Sequence, residues 1–206
     1  MRVYLAGPEV FLADRGAAVG AEKRRICAAH GLTGVVPVEE GGLPGAKGAD
    51  DPAWFGLYRG NEDLIRGCDA LIANLTPFRG PSADPGTVFE LGFMRGLGRP
   101  VLGYANTAGR FGGRTLAALG PAAKRRPDGV WEDAEGMAVE DFDLHDNLML
   151  EGGIRASGGL FTAEAVLPER RWSDLSAFAR CVAAAAAMLQ AGGGAGRGQP
   201  GSESSA

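Results

Sequence analysis

The sequence predicts an α/β fold, a doubly wound, flavodoxin- or Rossmann-like parallel sheet of about five strands with flanking helices. Three observations support this prediction. Short apolar segments alternate with helical segments over the first hundred residues, glycine and proline mark the boundaries between them, and 206 residues suffice for one α/β domain. We therefore expect a single domain over residues 1–190 and a disordered, Gly/Ser-rich tail over residues 191–206.

The predicted elements follow one another in strand–helix order. Strands are expected at residues 2–6, 35–38, 69–73 and 101–104, and helices at 13–30, 53–67, 85–97, 147–150 and 174–190. Gly60 marks a point at which the second helix can break, and Ser173 is the expected cap of the last one. Residues 40–52 and 76–84 read as loops, and residues 105–146 as long connections and partly mobile lids.

Composition and charge exclude several classes of protein. The formal net charge is −4, so the basic surplus of a nucleic-acid-binding protein is absent. The three cysteines lie far apart in apolar segments and only two histidines are present, so we expect reduced packing residues and no metal site. The first residues do not form a signal peptide, and the longest apolar run, residues 181–189, is too short to span a bilayer. We therefore expect a cytoplasmic protein without nucleic-acid or membrane partners.

Two carboxylates follow the third predicted strand. Asp84 is a predicted N-cap before Pro85, and Glu90 lies six residues further on in a largely apolar helix. Ligands bind at the carboxyl edge of such sheets, and a carboxylate in apolar surroundings is unfavourable unless it is paired or used. One carboxylate can attack an anomeric carbon while the other transfers a proton, and the helix N-terminus favours their ionised forms. The spacing alone leaves open that Asp84 only caps and that Glu90 is only solvated.

The first strand and its turn form the second informative stretch. Tyr4 lies in the strand, and Gly7-Pro8 follows it at the same sheet edge, where a glycine allows a ligand to approach the backbone. On pattern alone, a core tyrosine and a simple turn are the better explanation of these residues. The chain contains neither a GxGxxG run nor a GxxxxGK[ST] motif, so no dinucleotide or P-loop site is predicted.

Three motifs in register resemble the nucleoside 2-deoxyribosyltransferase family. They are Tyr4–Phe11 (YLAGPEVF), the Asp84–Gly92 box (DPGTVFELG) and Asp146–Met149 (DNLM). The run from Cys68 to Gly80 is similar to the branch that accepts purines and pyrimidines, and the resemblance covers roughly residues 2–165. It implies an enzyme that transfers a 2-deoxyribosyl group between a 2′-deoxyribonucleoside and a free nucleobase, without a cofactor or a metal.

The resemblance also implies roles for individual residues. Glu90 would be the nucleophile that forms a covalent deoxyribosyl intermediate, and Asp84 would exchange a proton with the base. Tyr4 would hydrogen-bond Glu90 and hold its orientation. Two successive inversions at the sugar carbon would give net retention.

Further positions would bind the substrate. Asn147 would reach into the active site of a neighbouring subunit and contact the sugar hydroxyls of the substrate there. This implies a homo-oligomer, either a dimer or an assembly of dimers. Asn61 would face the nucleoside, with Asp63 as the alternative if the alignment slips. The remaining expected binding residues are Gly7, Phe11, Gly86 and Met149. Relatives often carry aspartate at the strand end where this chain has Asn74, which leaves the base preference open.

Two other functions stay open at this point. A hydrolase of the same superfamily would cleave deoxynucleoside 5′-monophosphates with water. Glu9 argues against a phosphate site, whereas Arg79 and Ser82 favour one. A sensing module with a degenerate site is disfavoured, because suitable side chains fill all four key positions (Tyr4, Asp84, Glu90 and Asn147).

Overall fold

The computed structural model describes residues 1–37 and 52–195, and its helices and strands alternate as predicted over the first hundred residues. The strands are β1 (Arg2–Ala6), β2 (Thr33–Val35), β3 (Ala70–Asn74), β4 (Val101–Ala105), β5 (Lys124–Arg125), β6 (Trp131–Glu132) and β7 (Phe161–Ala163). The helices are α1 (Ala17–Ala29), α2 (Ala53–Arg66), α3 (Pro85–Gly96), α4 (Phe111–Leu119), α5 (Leu148–Ala156) and α6 (Ser176–Ala195), with short 3₁₀ turns at Pro8–Phe11, Gly120–Ala122 and Pro168–Arg170.

The main sheet has five parallel strands in the order β2-β1-β3-β4-β7. This is the doubly wound, flavodoxin-like order, so the fold prediction is confirmed. The chain passes from β1 to β2 in one direction and to β3 in the other. The carboxyl ends of β1 and β3 therefore border the crevice in which such sheets bind ligands.

Helices cover both faces of the sheet, and alternate residues of each strand point to opposite faces. Val3 and Leu5 of β1 belong to the core cluster that includes buried residues of α1 and α6. Tyr4 and Ala6 belong to the second cluster, with residues of α2, α3 and α5. Tyr4 therefore faces the helix that carries Glu90, and the alternation within β1 decides which side of the sheet holds the site.

Several boundaries differ from the sequence prediction. The first helix begins at Ala17 instead of residue 13, because Arg15 and Gly16 have φ values of 55° and 75°, which an α-helix does not accommodate. The second helix continues through Gly60 without a break. The second strand covers Thr33–Val35, and both the end of the predicted strand and most of loop 40–52 fall among residues 38–51, outside the described residues.

The second half of the chain is more regular than predicted. Residues 105–146 contain α4 and the β5–β6 hairpin instead of only connections, and β7 completes the sheet at a position without a strand prediction. The last helix begins at Ser176, where Asp174 instead of Ser173 accepts the Ser176 N–H at 3.0 Å. It continues to Ala195, beyond the expected end at residue 190, and residues 196–206 of the expected tail lie outside the described range.

The three cysteines are free and buried, as predicted. Within residues 1–37 and 52–195, none of the helices combines the length and apolar character needed to cross a bilayer. Among the same residues, no three His, Cys, Asp or Glu side chains are grouped so as to hold a metal ion.

Candidate active site

Tyr4 and Glu90 form the centre of the candidate site. Tyr4 is completely buried in β1, and its hydroxyl donates a hydrogen bond of 2.6 Å to Oε1 of Glu90. Glu90 lies in the second turn of α3 and is only partly buried. The hydrogen bond joins residues 86 positions apart, and it fixes the Glu90 carboxylate against the rigid central strand.

The Glu90 carboxylate is electrostatically unfavourable in its ionised form. Burial raises its pKa, the Tyr4 hydrogen bond lowers it and repulsion from Asp84 raises it again, and together they bring the pKa from its ordinary value to about 7. No cation among the described residues pairs with Glu90. The expectation that the helix N-terminus favours the ionised form is therefore reversed for Glu90. Burial and the neighbouring Glu90 raise the pKa of Tyr4 well above its ordinary value, so Tyr4 remains a neutral donor.

Asp84 is the N-cap of α3, which confirms that part of its predicted role. Its Oδ2 accepts hydrogen bonds from the Thr87 N–H at 2.9 Å and from the Thr87 hydroxyl at 3.0 Å. Within the described part of the chain no hydrogen bond reaches Oδ1, so this oxygen remains for a ligand. A Cβ atom at Gly86 would lie 3.1 Å from Oδ2, so a side chain there would crowd the carboxylate.

A cavity of about 310 Å³ opens beside Glu90 between α2 and α3. This volume is at the lower end of the range typical of small-molecule sites. Asn61 lines this cavity, whereas Asp63 is exposed and is not among its lining residues. The other lining residues are Tyr58, Glu62, Ile65, Gly86 and Phe89, of which sequence reasoning found only Gly86.

Aromatic rings border the crevice between β1 and β3. Phe11 is 56% exposed and stacks on Phe78 at a centroid distance of 5.2 Å. The Arg79 guanidinium lies 4.6 Å from the Phe78 ring centroid and 5.1 Å from that of Phe11. A Cβ atom on Gly7 would collide with the Glu9 carboxylate, so only glycine fits at this turn. Neither Gly7 nor Phe11, both expected in the binding site, is among the residues that line the Glu90 cavity.

Asn147 and Met149 are not among the residues that line the Glu90 cavity of their own chain. Asn147 caps α5 by accepting the Met149 N–H at 3.1 Å, and its side-chain amide donates to Glu140 at 2.6 Å. Met149 is 71% exposed beside a groove of about 530 Å³ between α3 and α5. Met149 is therefore at the surface, and Asn147 is half-buried beside it.

Sequence reasoning missed a second buried carboxylate at this edge of the sheet. Glu9 is buried, and its Oε1 accepts hydrogen bonds from Lys23 at 2.5 Å, Asn74 at 2.8 Å and Tyr104 at 3.2 Å. Burial alone would raise the pKa of Glu9, but Lys23 and then Asn74 outweigh it and hold the pKa below its ordinary value. The Asn74 amide can donate to Glu9, where a second carboxylate would repel it.

Comparison with known proteins identifies the family to which this site belongs. Residues 3–149 match the model of the family described as nucleoside 2-deoxyribosyltransferase. An uncharacterized protein of Schizosaccharomyces pombe, C191.05c, is 33% identical over 178 residues, which cover 81% of this chain and 83% of that protein. The solved structure of a 2-desoxiribosyltransferase from Leishmania mexicana is similar, with a TM-score of 0.58 and 29% identity over 88% of this chain and 96% of that one.

The family match covers more than half of the chain. The chain therefore belongs to the nucleoside 2-deoxyribosyltransferase family. This is a family of glycosyl-transferring enzymes, and its members act on nucleosides and nucleobases.

Proposed function

We propose that this protein is a nucleoside 2-deoxyribosyltransferase that moves the 2-deoxyribosyl group between purine bases, pyrimidine bases or both. The observation that carries the proposal is the Tyr4–Glu90 pair, in which a buried phenol orients a carboxylate beside a ligand-sized cavity and none of the described cations pairs with that carboxylate. A carboxylate in this state is stabilised by positive charge that arrives with the reaction. Cleavage of an N-glycosidic bond generates such charge on the sugar.

The first half of the reaction forms the intermediate. Tyr4 occupies Oε1 of Glu90, so Oε2 attacks the anomeric carbon while the bond from that carbon to the base nitrogen breaks. The bonding electrons leave with the base, and Asp84 in its protonated form supplies the proton that the departing nitrogen takes up. The products are a glycosyl ester on Glu90, a neutral free base and an ionised Asp84.

The second half reverses these steps with another base. The nitrogen of the incoming base attacks the anomeric carbon and gives its proton to Asp84, and Glu90 departs as a carboxylate. Each half inverts the configuration at the carbon, so the nucleoside product retains the original configuration. Asn61 and the ring of Phe89, which line the cavity, are placed to bind the nucleoside.

Asn147 completes the proposal from a second copy of the chain. Its half-buried position and the exposed, apolar Met149 beside the α3–α5 groove support a homo-oligomer, a dimer or an assembly of dimers. In such an assembly the amide of Asn147 exchanges its hydrogen bond with Glu140 for contacts with the sugar hydroxyls in the neighbouring site.

A second candidate is hydrolysis of a deoxynucleoside 5′-monophosphate by the same glutamate. Two observations favour it. Lys23 neutralises Glu9, so Glu9 does not oppose a phosphate as the sequence had indicated, and the exposed Arg79 could pair with one. One observation opposes it, because the Ser82 hydroxyl donates to Asp146 at 2.5 Å and is therefore already engaged. Transfer remains the function that the geometry supports best.

An exchange assay tests the proposal. Purified protein is incubated with deoxyinosine and adenine, and separately with thymidine and adenine, and products are followed by chromatography. We expect deoxyadenosine in at least one mixture, and the better donor defines the base preference. Release of free base without formation of a new nucleoside would contradict transfer and favour the hydrolase. The assay would then be repeated with deoxynucleoside 5′-monophosphates as substrates. No reaction with any of them would overturn enzymatic deoxyribosyl chemistry altogether.

A further inference from the structure

A buried carboxylate outside the cavity holds the loop that leads into Asp84. Asp146 is 1% exposed, at the end of the segment between β4 and α5. Its Oδ1 accepts the Ser82 hydroxyl at 2.5 Å, and its Oδ2 accepts the Ala83 N–H at 2.9 Å. Ser82 and Ala83 are the two residues immediately before Asp84, so a residue 62 positions away in sequence positions the entry to α3.

Arg114 of α4 extends this contact by one residue. Its Nε donates to the Pro81 carbonyl at 2.8 Å, one terminal nitrogen donates to the His145 carbonyl at 2.5 Å, and the same nitrogen lies 3.9 Å from Asp146. Three consecutive residues before Asp84 are therefore each bonded to the Arg114–Asp146 pair. We call the Arg114 and Asp146 side chains, with their bonds to residues 81–83, the clamp. It ties residues 81–83 to both α4 and the start of α5.

The clamp and the N-cap act on opposite sides of the Asp84 carboxylate. Thr87 binds the side chain from the helix, and Asp146 binds the backbone that precedes it. Only Oδ1 of Asp84 is left for a ligand, so a small shift of this backbone moves the oxygen that exchanges the proton. Glu90 depends on Tyr4 instead, and no contact of the clamp reaches it.

We infer that Asp146, supported by Arg114, is a positioning residue that sets the proton exchange between Asp84 and the base. This inference rests on the proposed function, because it assigns to Asp84 the role in proton transfer. Asp146 acts on departure of the base and leaves attack by Glu90 unchanged. Its loss therefore slows substrates whose leaving group must be protonated, and spares substrates whose leaving group departs as a stable anion.

The test compares two leaving groups in the full-length protein. Deoxyinosine requires a proton on its base, whereas 4-nitrophenyl 2-deoxyriboside releases a stable phenolate. In Asp146→Asn, the amide NH₂ faces a backbone N–H in either orientation, that of Ala83 at the position of Oδ2 or that of Asn147 at the position of Oδ1, so two donors oppose each other. The measured quantity is kcat/KM for release of the leaving group, because it reports formation of the glycosyl ester and not its later transfer. We expect kcat/KM for hypoxanthine release from deoxyinosine to fall about 10- to 100-fold, and kcat/KM for nitrophenolate release to change less than about threefold.

Two further variants keep the test decisive. Asp174→Asn is the matched control, since Asp174 is also buried, accepts a serine hydroxyl at 2.6 Å and a backbone N–H at 3.0 Å, and precedes a helix. We expect it to lower the melting temperature without changing the ratio of the two rates. Ser82→Ala removes one hydrogen bond of the clamp and keeps the Asp146 carboxylate. It should shift the ratio in the same direction by a smaller factor, even if Asp146→Asn fails to fold.

The outcomes separate the two proposals. If the wild-type protein turns over neither substrate, the proposed function fails. If the wild type is active but Asp146→Asn and Ser82→Ala slow both substrates equally, or match Asp174→Asn, the positioning role of Asp146 is overturned and the clamp is only structural.

Discussion

Two glutamates at the same edge of the sheet differ in what balances their charge. Glu9 is buried and receives hydrogen bonds from Lys23, Asn74 and Tyr104, and its pKa lies below the ordinary value. Glu90 accepts a hydrogen bond from the neutral Tyr4, and its pKa is raised to about 7. Among the described residues, a cation pairs with the first carboxylate and none pairs with the second.

This difference separates a structural carboxylate from a reactive one. The charge of Glu9 is satisfied in the folded chain, so it stabilises the turn after β1 and has little to gain from a ligand. Glu90 is held in place, but none of the described cations compensates its charge, and in the proposed reaction the positive sugar supplies that compensation. The four predictions that follow test the two carboxylates against each other.

The largest effect is expected from removing the Glu90 nucleophile. Glu90→Gln keeps the shape and the contact with Tyr4 but cannot form the glycosyl ester, so turnover should fall about 10⁴-fold or more. Intact-mass spectrometry of quenched wild-type reactions should show a deoxyribosyl adduct that the variant lacks. Glu9→Gln is the comparison variant and should keep most of its turnover below its melting temperature. Equal losses in both would remove the distinction between the two carboxylates.

The second effect concerns folding stability at the Glu9 network. Lys23→Met leaves the Glu9 carboxylate buried without its cation, and breaking such a pair reduces the free energy of unfolding by about 3–5 kcal/mol. The lowered pKa of Glu9 means that its contribution is present above its ordinary pKa and is lost as pH falls. The difference between wild type and variant should therefore be largest near pH 7 and shrink in acid. Urea unfolding at several pH values measures it.

An exposed ion pair serves as the control for this prediction. Arg25→Met breaks the surface pair with Glu22, and it should leave unfolding almost unchanged at every pH. A Lys23→Met variant as stable as the Arg25 variant would mean that Glu9 is not held by its buried cation.

The third effect concerns the pH dependence of turnover. Glu90 must be ionised to attack, so kcat/KM should rise with pH through about 7. Tyr4→Phe removes a hydrogen bond that lowers this pKa, so the acidic limb should move to higher pH and kcat should fall about 10- to 100-fold. Tyr104→Phe removes the corresponding phenol from Glu9 and should leave the acidic limb in place. A limb that moves in both variants would contradict a specific role of Tyr4.

The sequence predicted the Tyr4–Glu90 site but not the hydrogen-bond network around Glu9. Asp84 and Glu90 follow clear local signals, the apolar run of residues 69–73 and the Asp84-Pro85 helix start. The family motifs indicated that Tyr4 would contact Glu90, although the two residues lie 86 positions apart. Lys23 reads as one more basic residue of an amphipathic helix, so its pairing with Glu9 has no local signature. The signal that could have found it is Asn74, since an amide in place of the aspartate of relatives suggests a neighbouring acid.

The same reasoning explains where the fold prediction failed. Strands β1, β3 and β4 are largely apolar runs of five residues, whereas β7, like the displaced β2, has only three residues, none of them buried. Residues 105–146 are rich in glycine and arginine, and long-range contacts such as Arg114 with Pro81 order them where periodicity does not. Asp146 lay within a recognised motif, but its contact with Ser82 depends on the tertiary fold.

The smallest expected effect is an increase in the free energy of unfolding of Glu90→Gln, the same variant that should lose turnover. The pKa of Glu90 is raised from 4.5 to about 7, so its ionised form is disfavoured in the folded state. The penalty is absent below the ordinary pKa, develops between that value and about 7, and is complete above it. The free energy of unfolding of Glu90→Gln, measured with urea, should therefore exceed that of the wild type by about 1–3 kcal/mol at pH 8 and differ little from it at pH 4. Glu9→Gln should lower stability at pH 8, because it discards a charge that Lys23 already compensates. If both variants were destabilised at pH 8, Glu90 would be a satisfied carboxylate like Glu9, and its uncompensated charge could not be the basis of catalysis.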